Sequence, residues 1–203
     1  MNSILLENKS IIPSKVVCVG RNYVEHITEL GNEVPDEMVV FLKPNSAIST
    51  TLKAFHQECL HYEAEICFLY QQGRFSAVGV GLDLTKRALQ SQLKASKLPW
   101  ERAKAFDGSV VFSEFIAIDK IAPTLCVQLK INNHIIQQGG VELMMIKPNE
   151  ILSEIQTFMT LQDGDIVMTG TPKGVGVVNQ GDTFEGKILV EDNILVSKKW
   201  LAQ

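Results

Sequence analysis

Two glutamates that stand two residues apart inside an apolar run limit what this part of the chain can form. The run covers residues 61–70 and alternates apolar and polar side chains, a pattern typical of a β-strand. Side chains at positions i and i+2 of a strand share a face, so Glu63 and Glu65 are predicted to point the same way. Two such carboxylates repel each other and cost desolvation energy when buried. The pair indicates either a divalent metal site or the wet face of an edge strand.

Asp83 is the candidate for a third oxygen ligand. It lies in a second apolar and glycine-rich run, residues 78–84, which is also predicted to be a strand. Three carboxylates with room left for water suit Mg²⁺ or Mn²⁺. A zinc site is the weaker alternative, because the spacing of the nearby candidates fits no structural zinc pattern. Those zinc candidates are His56, Cys59, His61 and Cys67.

Length and composition predict a single domain over residues 1–203. Hydrophobic residues make up 45% of the chain and charged residues 21%, which is ordinary for a globular protein. A net charge of −4 without a basic stripe argues against a nucleic-acid partner. No apolar run approaches the roughly 20 residues of a membrane span. The N-terminus lacks a signal-peptide pattern, and four cysteines without Cys-x-x-Cys spacing favour a cytoplasmic location.

Two further positions have catalytic interpretations. His26 and Glu29 lie three residues apart in a predicted helix, residues 24–30, and therefore share a face. The carboxylate either orients the imidazole of a general base or makes a simple surface contact. Lys104, in the charged segment 99–108 that is predicted to be a loop, either stabilises a developing enolate or is a solvated lysine.

Residues 170–176 form a glycine-rich loop after a predicted strand. Its backbone amides and the Thr171 hydroxyl are suited to hold a carboxylate, and a tight turn with positive φ is the alternative. The loop lacks the full phosphate-binding pattern because Lys173 is followed by glycine. Lys43, in another predicted strand, is either directed at an anion or exposed. Elsewhere the pattern predicts strands at residues 15–20, 39–44, 125–131 and 166–169, and helices at residues 85–97 and 148–158.

Six motifs in this order resemble those of the fumarylacetoacetate hydrolase family, and together they cover about residues 15–190. They are Val19-Gly20-Arg21-Asn22-Tyr23 with His26, Phe41-Leu42-Lys43-Pro44, His61-Tyr62-Glu63-Ala64-Glu65, Leu82-Asp83-Leu84-Thr85, Lys104-Ala105-Phe106-Asp107 and Gly170-Thr171-Pro172-Lys173-Gly174-Val175-Gly176. The resemblance is strongest to the short, single-domain members that act on acylpyruvates and oxaloacetate.

The resemblance implies a fold and a set of site residues. The implied fold is α+β and mostly β, a mixed β-sandwich or β-roll with a few short helices, usually assembled as a homodimer. The implied metal is Mg²⁺ or Mn²⁺. The residues carried over are metal ligands Glu63, Glu65 and Asp83, catalytic residues His26, Glu29 and Lys104, and substrate-binding residues Arg21, Gln90 and Thr171.

The implied activity is metal-dependent hydrolysis of a carbon–carbon bond in acylpyruvates such as fumarylpyruvate or acetylpyruvate, with decarboxylation of oxaloacetate at the same site. The alternatives are an isomerase, hydratase or tautomerase of unsaturated 2-oxo diacids and, from another class, a catalytically inactive metal-binding protein. Two positions depart from the family pattern. Ala88 replaces an acidic residue, and Val141-Glu142 replaces a Thr-Ser pair, which predicts a different substrate preference if that pair shapes the pocket.

Overall fold

The computed structural model describes residues 1–203 and is mostly β, with four short α-helices, as predicted. The strands are β1 (Ile4–Leu6), β2 (Lys9–Ile11), β3 (Lys15–Gly20), β4 (Val39–Pro44), β5 (Ile48–Ser49), β6 (Phe55–His56), β7 (Glu58–Tyr62), β8 (Ala64–Gln71), β9 (Arg74–Asp83), β10 (Thr85–Lys86), β11 (Val110–Phe112), β12 (Ile116–Ala117), β13 (Leu125–Ile131), β14 (His134–Gly140), β15 (Ile166–Met168), β16 (Gly176–Val177), β17 (Thr183–Val190) and β18 (Asn193–Leu201). The helices are α1 (Val24–Glu29), α2 (Arg87–Ala95), α3 (Glu101–Lys104) and α4 (Pro148–Phe158). None of them is long and apolar enough to cross a membrane.

One eight-stranded mixed sheet carries most of the structure. Its order is β4-β3-β15-β8-β9-β11-β5, with β12 added beside β9. Strands β15 and β3 run parallel, whereas β8 and β9 form a long antiparallel pair. A four-stranded sheet, β14-β13-β17-β18, packs against β8 and β9. Strands β6, β7, β10 and β16 form another small sheet, and β1 pairs with β2.

The large sheet is buried on both faces. Successive residues of a strand point to opposite sides, so one strand contributes side chains to two core clusters. In β3, Val17 and Val19 belong to a core cluster that includes Val127 and Ile188 of the four-stranded sheet. Val16, also in β3, belongs to a second cluster on the other face. This two-sided burial explains why the strands of the large sheet read as nearly continuous apolar runs.

Most predicted elements are found at or near their predicted bounds. Strands β3 and β4 and helix α4 match the predictions for residues 15–20, 39–44 and 148–158. The helix predicted at residues 85–97 begins later, at Arg87, because the two preceding residues pair with β7 as strand β10. The segment predicted to be a loop contains α3, so Lys104 is the last residue of a short helix rather than part of an irregular segment.

The prediction of one continuous strand over residues 61–70 is wrong. Strand β7 ends at Tyr62 and β8 begins at Ala64, and these two strands belong to different sheets. Glu63 therefore stands at the point where the chain passes from the small sheet into the large one. The directions of the Glu63 and Glu65 side chains are therefore set by this change of sheet and not by the two-residue repeat of a single strand.

Hydrogen bonds to the Asp165 side chain connect the segment before β3 to the turn before β15. Its buried carboxylate accepts hydrogen bonds from the backbone amides of Ser14, Lys15 and Gln162 at 3.0, 3.1 and 2.9 Å. The Ser14 hydroxyl and the Lys15 ammonium donate to it at 2.6 and 2.5 Å. Burial by itself would raise the pKa of this carboxyl, but the five donors hold the pKa of Asp165 below its usual value.

We expect Asp165→Asn to lower the free energy of unfolding by about 2–4 kcal/mol at pH 7, because charge-assisted hydrogen bonds are lost in a buried site. The carboxyl has a lower pKa in the folded chain than in the unfolded one. Its contribution is therefore present above the unfolded pKa, near 4, and is lost as the pH falls below it. Urea unfolding from pH 7 to pH 3 should show the wild-type advantage shrinking with acidity.

The exposed carboxyl of Asp119 provides the control for this prediction. Asp119→Asn should change stability by no more than about 0.5 kcal/mol. An Asp165→Asn penalty that stays constant between pH 7 and pH 3 would contradict the assigned role.

Candidate metal centre and active site

Three buried carboxylates converge at one end of the large sheet. Oxygen atoms of Glu63, Glu65 and Asp83 all lie within 4.8 Å of one another. Glu65 comes from β8, Asp83 is the last residue of the neighbouring β9, and Glu63 lies at the break between β7 and β8. The Asp83 amide donates to the Glu63 carbonyl at 2.8 Å, which joins the two segments at the site. The three predicted ligands are thus brought together from two adjacent parts of the chain.

The glycine-rich pattern of β9 has a packing reason beside this cluster. Gly81 is paired with Glu65 across the β8–β9 ladder. A Cβ atom at Gly81 would lie 2.7 Å from the Cys67 sulfur and 2.8 Å from the Phe112 ring. No side chain fits between these two groups, so the sequence at this position is limited to glycine.

Lys104 is buried among the carboxylates and is not a solvated lysine. Its ammonium donates to Glu63 Oε2 at 2.8 Å, to Asp83 Oδ2 at 2.7 Å and to the Thr85 hydroxyl at 2.6 Å. Burial alone would lower the pKa of Lys104, but the carboxylates of Asp83 and Glu63 outweigh it and raise the pKa. The residue is therefore a fixed positive charge inside the cluster.

Lys43 is fully buried beside the same cluster, which excludes the exposed alternative. Its ammonium donates to the carbonyl oxygens of Lys104 and Ser109 and to the Ser109 hydroxyl. Lys43 Nζ also forms an ion pair with Asp83 Oδ1 at 2.8 Å. Asp83 Oδ1 is a buried carboxylate oxygen that has this ion pair but accepts no hydrogen bond of good geometry.

The positive charges are not shared evenly by the three carboxylates. Burial would raise the pKa of Glu63, yet Lys104 and Arg87 hold it well below its usual value. Burial raises the pKa of Glu65, and the neighbouring charges of Asp83 and Glu63 raise it further, against a hydrogen bond from the Gly170 amide. Glu65 is thus the member of the cluster that lacks a matching cation.

The residues present fit a divalent cation. Three carboxylates at this spacing form an all-oxygen donor set, which Mg²⁺ and Mn²⁺ prefer. A cation held by them would also satisfy Asp83 Oδ1 and compensate the charge of Glu65. The zinc alternative is wrong, because the acidic cluster is the one group of possible metal-binding side chains that converges.

Helix α1 carries the predicted histidine–glutamate pair. His26 is buried, and its Nδ1 lies 3.3 Å from Glu29 Oε2. The Gly174 amide donates to the two Glu29 oxygens at 3.0 and 3.2 Å. Gly174 has a φ of +101°, and a Cβ there would lie 2.2 Å from the Ile136 carbonyl oxygen, so the loop needs glycine at this point.

The glycine-rich loop 170–176 therefore holds carboxylates through its backbone, as the sequence suggested, and the carboxylates are the protein's own. The Gly170 amide donates to Glu65 Oε2 at 2.7 Å, and Gly174 donates to Glu29. Lys173 points away from any such role, since it is exposed and pairs with the exposed Glu25 at 3.2 Å.

A single cavity of about 50 Å³ adjoins these groups. That volume has room for roughly four water molecules, which suits a ligand of few atoms. Every predicted site residue except Glu29, which lies behind His26, lines it. The polar and charged lining residues are Arg21, His26, Asn32, Glu63, Glu65, Asp83, Arg87, Gln90, Lys94, Lys104 and Thr171.

Two of the predicted substrate-binding side chains already have protein partners. The Thr171 hydroxyl donates to the Ala64 carbonyl at 2.9 Å and accepts from the Gln137 amide at 2.8 Å. Gln90 Oε1 accepts from Arg87 Nη1 at 2.8 Å, so the Gln90 amide nitrogen is the part of that side chain free to donate.

Sequence reasoning missed Arg87, Asn32 and Lys94 as lining residues. Arg87 lies four residues after Asp83 and pairs with Glu63, so its place next to a ligand motif was the available signal. The two departures from the family pattern lie outside the cavity. At Ala88 the backbone amide donates to Glu58 Oε1 at 3.0 Å, so a carboxylate from β7 faces the start of α2.

Comparison with known proteins agrees with this architecture. The family model described as fumarylacetoacetate (FAA) hydrolase C-terminal matches residues 15–195. The oxaloacetate tautomerase YcgM of Escherichia coli is 36% identical over 198 residues, covering 87% of this chain and 90% of that protein. A mitochondrial oxaloacetate tautomerase of Arabidopsis thaliana is 38% identical over 192 residues, covering 86% of each.

A solved structure of another protein has the same fold. Fumarylpyruvate hydrolase from Pseudomonas aeruginosa, in complex with Mn²⁺ and pyruvate, superposes with a TM-score of 0.86 at 26% identity, covering 100% of this chain and 96% of that one. The family model spans most of the sequence, and the relatives exceed 30% identity over most of their length. The chain therefore belongs to the fumarylacetoacetate hydrolase family.

Proposed function

We propose that this protein is a divalent-metal-dependent enzyme that interconverts the enol and keto forms of oxaloacetate. One observation carries the proposal: three buried carboxylates, with oxygen atoms within 4.8 Å of one another, line the same small cavity as His26. The relatives named oxaloacetate tautomerase support the choice of substrate.

The proposed roles follow from where each side chain lies. Mg²⁺ or Mn²⁺ held by Glu63, Glu65 and Asp83 would supply the Lewis acidity that stabilises negative charge on a 2-oxo acid. His26 removes a proton from carbon 3 of the keto form and returns one in the reverse direction. Glu29 fixes the imidazole through Nδ1, which leaves Nε2 to exchange the proton.

The remaining residues hold the substrate and its charge. Lys104 is the cation that contacts two of the three carboxylates, Glu63 and Asp83, and we assign it to stabilising the enolate. Gln90 has free amide hydrogens to donate, and Arg21 is a cation on the cavity wall. Because the Thr171 hydroxyl donates to Ala64, Thr171 contributes mainly by shaping the wall.

Hydrolysis of acylpyruvates is the second candidate, and the His26–Glu29 pair favours it. The same imidazole is suited to activate a water molecule against the distal carbonyl of a 2,4-dioxo acid. The neighbouring fumarylpyruvate hydrolase structure supports this candidate. Both reactions, and decarboxylation of oxaloacetate, share the stabilised enolate. Assembly as a homodimer stays a prediction from the family resemblance, which light scattering would test.

Metal binding should raise the melting temperature of the wild-type protein by about 5–10 °C at a hundredfold excess over Kd. We expect Glu65→Gln to abolish that rise, because a carboxamide is a poor ligand for Mg²⁺ or Mn²⁺. Without metal, the same variant should melt at a higher temperature than the wild type, since burial and the neighbouring carboxylates disfavour ionisation of Glu65 and the carboxamide carries no charge. Differential scanning fluorimetry with MgCl₂ or MnCl₂ measures both effects.

Glu101→Gln, an exposed change in α3, is the matched control and should keep the full metal response. A Glu65→Gln protein that responds to metal like the wild type would remove Glu65 from the ligand set.

His26→Asn should lower kcat for oxaloacetate tautomerisation by a factor of about 10²–10⁴, the usual contribution of a general base. The metal-induced rise in melting temperature should survive, because His26 is not a ligand. Glu29→Gln should cost less, since the imidazole keeps a hydrogen-bond acceptor. The loss of enol absorbance measures the reaction, and cleavage of acetylpyruvate is followed in parallel.

His134→Asn, on the exposed start of β14, controls for loss of any histidine. Tautomerisation at the wild-type rate in His26→Asn would rule out the proton-transfer role. If only acetylpyruvate cleavage were lost, His26 would serve hydrolysis instead.

A further inference from the structure

Two cations on the cavity wall have no carboxylate partner. Arg21, at the end of β3, and Lys94, in α2, both line the cavity. Neither has a carboxylate oxygen within 4 Å. The other two cations of the lining, Arg87 and Lys104, each pair with Glu63. The cavity therefore has one region where cations pair with carboxylates and one region that contains cations alone.

An amide oxygen stands between the two unpaired cations. Asn32 Oδ1 accepts from Lys94 Nζ at 2.5 Å and from Arg21 Nη2 at 3.5 Å. A neutral oxygen is a weak acceptor for two charged donors, whereas a carboxylate oxygen is a strong one. Asn32 thus marks a point where the protein supplies two cationic donors and no anion.

The arrangement is unfavourable without an anion. Burial lowers the pKa of Lys94, and the positive charges of Arg21 and Arg87 lower it further. Arg21 also adopts a φ of +56°, a left-handed conformation that is strained for a non-glycine residue. Its neighbour Asn22 fixes that backbone by donating to the carbonyls of Ile146 and Thr169, both at 3.0 Å. Repulsion and strain held in place by the surrounding structure are typical of a ligand site.

We propose that Arg21 and Lys94 form a subsite for the second carboxylate of the substrate, at the position marked by the Asn32 side-chain oxygen. This assignment rests on the proposed action on a 2-oxo acid, whose first carboxylate and 2-oxo group face the acidic cluster. The formal charges agree with it. Four cationic side chains of the lining, Lys43 beside Asp83 and one divalent ion, against three carboxylates, leave an excess that a dianion balances better than a monoanion.

The subsite gives the protein a substrate preference. A 2-oxo acid with a short, charged distal end, such as oxaloacetate, meets two cations there. Acetylpyruvate presents a neutral ketone at the same end and leaves both cations without an anion. The subsite thus selects short 2-oxo dicarboxylates and favours the tautomerase reaction over cleavage of neutral acylpyruvates.

Oxaloacetate and its 4-methyl ester form a matched pair for the test, because both enolise and only the first carries the second carboxylate. The wild-type protein with Mg²⁺ should show a kcat/KM for tautomerisation about tenfold to hundredfold higher for oxaloacetate, the range of charge-assisted hydrogen bonds. In Lys94→Met that ratio should fall at least severalfold, because one of the two cations is lost and the value for oxaloacetate drops more than the value for the ester. Lys97→Met removes the same charge from an exposed position outside the cavity and should keep the wild-type ratio.

Asn32→Asp is a second, nearly isosteric variant with a readout that needs neither metal nor substrate. Its new carboxylate would occupy the point between the two cations. We expect a melting temperature above that of the wild type and, at the same time, loss of the preference for oxaloacetate over the ester. Lowered stability, or an unchanged preference, would contradict the subsite even if Lys94→Met failed to fold.

The outcomes separate the subsite from the function on which it rests. A wild-type protein that converts both compounds equally well would overturn the subsite and leave the proposed function intact. Retention of the wild-type preference in both variants would do the same. A wild-type protein that converts neither compound would overturn the proposed function, and the subsite with it.

Discussion

The site depends on keeping three carboxylates close together inside the protein. Each buried negative charge costs desolvation energy, and the three repel one another over distances below 5 Å. Lys104 and Arg87 compensate Glu63, and Lys43 lies beside Asp83, but Glu65 has only the Gly170 amide. The protein thus supplies part of the positive charge that the cluster needs. The positive charge that the protein does not supply is the physical reason for proposing a divalent ion.

The fold creates this cluster by changing sheets at one residue. Glu63 ends the path of the chain through the small sheet, and Ala64 begins β8 in the large one. That break allows Glu63 to face Lys104 and Arg87 while Glu65 stays in the β8 ladder. Gly81 removes a side chain from the adjacent strand, so that Cys67 and Phe112 pack where a Cβ would stand. The same buried sheet that stabilises the fold therefore sets the spacing of the carboxylates.

Much of this was predictable from residue types. A carboxylate in a strand that is otherwise apolar needs a reason, and that reasoning found Glu63, Glu65 and Asp83. It explained Glu63 wrongly, since a two-residue repeat does not reveal that the chain passes between sheets. It also left Lys43 and Lys104 undecided between buried and solvated, because the sequence does not record where a long, flexible side chain ends.

The two cations without a carboxylate partner could not be predicted from the sequence, for a related reason. Arg21 and Lys94 are 73 residues apart in the sequence, and only the tertiary structure brings both to Asn32. No local periodicity predicts a contact between segments so far apart. Residue types predicted the chemistry of the site. The tertiary structure was needed to identify the two cations that have no carboxylate partner in the protein.

The most direct test of the central claim is anomalous diffraction from crystals of the protein grown with Mn²⁺. The account predicts one strong manganese peak within coordinating distance, about 2.0–2.3 Å, of oxygen atoms from Glu63, Glu65 and Asp83. Manganese bound elsewhere, or no manganese peak beside these three carboxylates at saturating Mn²⁺, would contradict it.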